Sequence, residues 1–224
     1  MIVSAMMTLQ AESPFGRKAD TSTVTGRADD ETLQRLVAAA RSLMWEAGSP
    51  TFTVNQVVMA AGSSLKSFYR CFGSKDDLLV ALFADDARRG AELLARRVEK
   101  APDHERLRTM VTGLFGFLGV ERQLPYAAAL VSEHLRLAQA HPEELAVVRS
   151  PFVALFEAEV GGAMERGEIR PGEAGGDARM VFHLVLAHLH ALVWHQIDDD
   201  PDEVGSKVWA FCAAALRPRE ATAR

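Results

Sequence analysis

Four side chains near the amino end are spaced to meet a polyanion. Ser63, Lys66, Ser67 and Arg70 recur at i, i+3, i+4 and i+7, so a helix would gather them on one face. Hydroxyls and cations there can donate to phosphate oxygens, and a Lys or Arg can also donate to the O6 and N7 of a guanine. Leu65, Phe68, Tyr69 and Phe72 have the same spacing and are the apolar residues of that helix, expected from about Ser64 to Phe72. Lys75 adds a further positive charge just beyond it.

So short a face must be held rigidly, and the preceding residues supply the means. Thr53 fits an N-cap, with Gln56 three residues later completing a capping box around Val54 and Asn55. Phe52 and Val57 occupy the two positions of a hydrophobic staple. Gly62 stops this helix after Ala61, because glycine accepts the left-handed backbone found past helix ends. Ser74, followed by Lys75, Asp76 and Asp77, resembles a second capping box. It opens a long helix reaching about Lys100, in which Gly90 is the one interior breaker. Ahead of these, Leu33, Leu36, Val37, Ala40 and Met44 form the stripe of a first helix from about Asp30 to Ala47, ended by Gly48 and Pro50. Residues 52–77 therefore read as helix, tight turn, helix and the start of a third. That arrangement suits a short cationic helix lying in a DNA groove.

This stretch resembles the N-terminal domain of the TetR family of ligand-responsive transcriptional regulators. The matching pieces are Thr53, Ala60-Ala61-Gly62, Ser64, Tyr69 with Phe72, and Ser74-Lys75 leading into Leu78-Leu79, over roughly residues 30 to 82. The chain departs from the family pattern at Ser63, at Leu65-Lys66 and at Cys71, which bears on base readout rather than on fold. The DNA-facing set is expected to be Thr53, Asn55, Ser63, Ser64, Lys66, Ser67, Tyr69, Arg70 and Lys75, with Thr53 and Lys75 at phosphates. The resemblance also implies an effector pocket in the later helices and a homodimer through the last two, hence a near-palindromic double-stranded operator. The expected protein is a sequence-specific regulator, most often a repressor in such families, released by a small hydrophobic effector. A second reading is a helix-turn-helix-derived interaction module without DNA binding, which the unusual Ser63-Ser64-Leu65-Lys66 turn keeps open.

The remaining chain reads as helices at roughly 103–119, 124–139, 142–167, 175–197 and 202–216. Pro151 is expected to kink or restart the 142–167 helix, and Gly161-Gly162 to loosen it. No alternating strand pattern appears, so the expected fold is all-α: an N-terminal helix-turn-helix domain joined by a long helix to a C-terminal helical bundle, about nine helices in all. The expected organisation is a flexible arm at 1–28, a DNA-binding domain at 29–75, a ligand-binding and dimerisation domain at 76–218, and a tail at 219–224. Arg17, Lys18 and Arg27 of the arm could reach phosphate or a minor groove.

For the effector pocket the expected lining is Met110, Leu114, Phe115, Leu118, Phe152, Phe156 and Phe182, with Tyr126 and His134 as polar handles. For dimerisation, the last two helices carry Val181, Leu184, Val185, Leu192, Trp194, Val208, Trp209, Phe211 and Leu216, a wider apolar surface than one helix can bury alone. His183, His188, His190 and His195 lie in the 175–197 helix but at spacings of seven rather than three or four, so no metal site is expected.

Composition narrows the class. The chain has 224 residues, 48% of them hydrophobic, and a net charge of −5. Residues 1–75 carry eight Lys or Arg against six Asp or Glu, whereas residues 76–224 carry seventeen against twenty-four. A weakly basic head on an acidic body suits a protein that touches DNA with one end. Cys71 and Cys212 lie far apart, so no disulfide framework is expected and a cytoplasmic setting is. No apolar run approaches the ~20 residues of a membrane span. No Ser-His-Asp context, phosphate loop or metal-ligand spacing points to an enzyme, and no cofactor is implied.

Overall fold

The computed structural model describes residues 23–118 and 124–217. Among these there are nine α-helices and no strand, so the all-α expectation holds. The helices are α1 (Thr23–Ala47), α2 (Val54–Ala60), α3 (Leu65–Cys71), α4 (Lys75–Glu99), α5 (Asp103–Phe115), α6 (Leu124–Ala140), α7 (Pro142–Glu165), α8 (Ala174–Val193) and α9 (Pro201–Leu216). α1 begins at Thr23, seven residues ahead of the expected start at Asp30. Arg17 and Lys18 lie outside the described residues.

The chain divides into two compact units. One takes residues up to Arg89 together with Pro125–Arg149; the other takes Gly90–Leu124 and Ser150 onward. α4 and α7 therefore each contribute to both.

In the first unit α1, α2 and α3 close on one another around side chains with no solvent exposure: Leu36 and Met44 of α1, Val57 of α2 and Phe68 of α3. Leu78, Leu79 and Leu82 of α4 and Leu137 and Leu145 of α6 and α7 belong to the same core. A polar network lies within it. Arg41 of α1 donates to Asp86 at 2.8 Å and to Asp85 at 2.6 Å, both on α4. The Tyr126 hydroxyl of α6 donates to the other Asp86 oxygen. Burial works against the charge on Arg41, but Asp86, Tyr126 and Asp85 outweigh it and hold the guanidinium firmly protonated. Burial pushes the Asp86 carboxyl up, while Arg41 and Tyr126 pull it down.

The second unit is built on α5, which packs along α9 and against α8. Met110, Val111, Phe115, Phe156, Val160 and Val185 fill its core with no exposure. Arg106 of α5 reaches Glu159 of α7 with two hydrogen bonds, at 3.0 and 2.6 Å.

Neither Gly90 nor Pro151, the two candidate interruptions of long helices, ends its helix. A Cβ on Gly90 would stand 3.0 Å from the Phe152 ring, so glycine is what lets α4 and α7 approach there. Pro151 removes one backbone donor from α7, yet the helix continues from Pro142 to Glu165. Buried contacts on both sides of it, from Leu145 and Val148 to Phe156 and Val160, outweigh the lost bond. Both residues stand next to the points where their helices pass from one unit to the other.

Candidate nucleic-acid interface

The local geometry of the helix-turn-helix follows its sequence closely. Thr53 caps α2: its hydroxyl accepts from the Gln56 amide at 3.2 Å, and the Gln56 side chain accepts from the Thr53 amide at 2.8 Å, a complete capping box. The staple residues Phe52 and Val57 are both buried. Gly62 has φ +56, the left-handed conformation that the turn requires. Ser64 caps α3 by accepting from the Ser67 amide at 3.1 Å. The expected start one residue earlier is thus the cap itself.

α3 buries only two of its four apolar residues. Phe68 (0% exposed) and Phe72 (5%) anchor it, with their rings 5.6 Å apart. Leu65 and Tyr69, the other two apolar residues of the helix, are 44% and 60% exposed. A seven-residue helix seated on α1 and α2 has contact on one narrow side only. Two of the four apolar residues therefore satisfy that contact, and the next two fall outside it. Tyr69 lies edge-on to Phe68 at 5.3 Å, which fixes its ring while its outer side meets solvent.

The face turned to solvent carries Ser64, Leu65, Lys66, Tyr69 and Arg70, all exposed, with Ser63 and Ser67 half-buried. Thr53 and Asn55 are exposed on α2. From Ala47 to Lys75 the chain holds three cations and no carboxylate, so this surface is cationic by composition. Two of the three cations are engaged inside the protein. Arg70 forms an ion pair with Asp29 of α1, Nε to Oδ1 at 2.7 Å. The Lys75 ammonium donates to the Pro50 carbonyl and sits 4.6 Å from the Phe52 ring centroid. Burial lowers the Lys75 pKa below the ordinary lysine value, with Arg136 working in the same direction against Glu133 and Asp76. Sequence reasoning did not find the Asp29 partner. Asp29 belongs to a different helix, and no local pattern links it to Arg70.

The residues expected around an effector fall into two groups. Met110, Leu114, Phe115, Leu118, Phe156 and Phe182 are buried and Phe152 half-buried, all in the second unit. Phe182 joins Phe152 (6.3 Å, stacked) and Phe156 (5.5 Å, edge-on) in an aromatic cluster. Tyr126 and half-buried His134 belong to the first unit, where the Tyr126 hydroxyl is committed to Asp86 and its ring lies 5.3 Å from Trp45.

Residues 36–82, from inside α1 to inside α4, match the family described as bacterial regulatory proteins, tetR family. Over these residues the chain is similar to the TetR family. The match to TetR proteins is thus centred on the helix-turn-helix just described. No curated protein matches the chain in sequence. Solved structures resemble it over most of its length. FadR from Bacillus subtilis in complex with stearoyl-CoA is 17% identical, with TM-score 0.67, covering 82% of this chain and 99% of that one. FadR from Thermus thermophilus, a TetR-family repressor in complex with lauroyl-CoA, is 18% identical with TM-score 0.67, covering 86% and 98%. RolR in complex with resorcinol is 18% identical with TM-score 0.67, covering 87% and 91%. At these identities the likeness establishes the fold: a TetR-type N-terminal domain followed by a helical C-terminal region.

Proposed function

We propose that the protein is a homodimeric transcriptional regulator that represses by occupying a near-palindromic operator and leaves it when a small hydrophobic effector binds. The observation that carries this reading is the exposed face of α3, which has no carboxylate of its own and is held by two buried phenylalanines and two side-chain caps in a stretch matching the TetR family. Ser63, Ser64, Lys66, Ser67, Tyr69 and Arg70 meet the major groove, while Thr53, Asn55 and Lys75 address the backbone. Lys75 acts there from a fixed position, since its ammonium is already seated against Pro50 and Phe52.

The second copy docks on α8 and α9. Trp194 and Phe211 are exposed there, at 38% and 66%, and Leu184 and Trp209 are half-buried. A groove of about 380 Å³ between these helices is lined by Leu184, Ile197, Val204, Val208 and Phe211, with His188, Asp199 and Lys207 at its polar edge. Effector binding falls to the apolar interior of the second unit, around Met110, Leu114, Phe115, Leu118, Phe152, Phe156 and Phe182. That FadR proteins of this fold are seen with acyl-CoA and RolR with resorcinol supports an apolar or aromatic effector. The effector acts by preferring one shape of the dimer, and it lowers DNA affinity by that preference and no more.

A gel shift with the DNA upstream of the gene, at two salt concentrations, tests the regulator. A retarded species containing two chains, weakened by salt and released by a long-chain acyl-CoA or a phenol, is the expected result. No retardation of any duplex at low salt favours the interaction-module alternative.

A further inference from the structure

Three of the eight large apolar side chains left exposed among the described residues, Met59, Leu65 and Tyr69, fall within α2 and α3. A lone exposed leucine needs no explanation. Here, however, Leu65 and Tyr69 are four apart, so they share a face of α3, beside the Lys66 and Arg70 face. Their neighbours Phe68 and Phe72 already supply the anchoring contact, so these two do not hold the helix in place. Arg70, the other long polar side chain on α3, is turned to Asp29. What the helix offers a groove therefore includes an exposed apolar pair, with Lys66 as its unpaired cation among the contacts described.

In a major groove the one apolar feature of a base edge is the C5-methyl of thymine. We infer, resting on the DNA-binding reading above, that Leu65 and Tyr69 read thymine methyl groups and that each operator half-site carries a thymine at the positions they reach. Lys66 and the serines then supply the polar contacts. Readout of this kind discriminates by a desolvated methyl rather than by hydrogen-bond pairing. It survives high salt better than phosphate contacts do, because no counterion is released by it.

The test uses the full-length protein. Binding sites are first enriched from a random duplex pool. Each thymine of the enriched site is then replaced singly by uracil, which pairs with adenine identically but lacks the methyl. Affinities are read by fluorescence anisotropy for the natural chain, Leu65→Ala and Tyr69→Ala. The expected result is a loss of about 4-fold at one or more thymines per half-site, the value of one buried methyl-sized group. Leu65→Ala or Tyr69→Ala should abolish that loss at its own thymine while leaving the others. Leu65 is exposed and alanine favours helix, so an unchanged thermal melt is expected for the first variant. Sites that tolerate uracil everywhere overturn the inference, as does a uracil penalty that both variants retain in full. A pool from which no sequence is enriched overturns the proposed function itself, and this inference with it.

Discussion

Arg70 faces two competing partners. It stands on the exposed side of α3, yet its guanidinium is 2.7 Å from the Asp29 carboxylate. A phosphate or guanine must draw it away from that carboxylate. The pair is half-exposed, so the contest is mild and salt-sensitive. Asp29→Asn removes the competitor while keeping the shape of the side chain. The expected outcome is DNA binding tighter by a few-fold, with a salt dependence steeper by up to about one phosphate-equivalent. Anisotropy titrations across a salt series measure both quantities. Unchanged affinity and slope would mean that Arg70 never leaves Asp29 and takes no part in DNA binding.

Among the elements, α1, α4 and α6 are tied by the Arg41–Asp85–Asp86–Tyr126 network. Its charged members, Arg41, Asp85 and Asp86, are buried or largely so, and removing one leaves its partners uncompensated. Arg41→Ala is expected to cost about 3–5 kcal/mol, the range for breaking a buried pair. Tyr126→Phe removes one neutral donor and is expected to cost about 1–3 kcal/mol. Urea denaturation of each variant gives the two values, and the arginine change should be the larger. α8 carries a second titratable feature. Burial lowers the pKa of His190, which sits 5.6 Å from the Trp194 ring. The folded chain therefore takes up this proton later than the unfolded chain as pH falls. Stability from neutral His190 is present above the unfolded value of about 6.5 and is lost below it. Denaturation midpoints at pH 8 and pH 5.5 should differ in that sense, and His190→Gln should narrow the difference.

At the scale of the whole molecule, the open question is what covers α8 and α9. Val181, Val185, Leu192, Val208 and Leu216, all expected at the dimer surface, are buried within the chain itself. That leaves Leu184, Trp194, Trp209 and Phe211 as the wider-facing part of the set. Phe211 is 66% exposed, so a polar side chain there harms the isolated chain little. Phe211→Glu should nevertheless convert a dimer to a monomer at micromolar concentration, because it places two carboxylates in a self-complementary interface. Light scattering reads the mass, and a gel shift with the same protein should show weakened operator binding. A natural chain that is already monomeric would remove the basis for a palindromic operator.

How much of this was legible in the residues follows from the range of the forces involved. Caps, the staple, the glycine turn and the helical period act within a few positions, so Thr53, Gln56, Gly62 and Ser64 declared the helix-turn-helix before any coordinates. Local weakness at Gly90 and Pro151 was equally visible, but its consequence was not, because distant packing overrode it. Which apolar residues of α3 stay uncovered, the pairing of Arg70 with Asp29 and the commitment of Tyr126 to Asp86 could be decided only by tertiary structure. Each joins residues some forty positions apart or depends on how narrow a neighbour's surface is, and no local pattern encodes either.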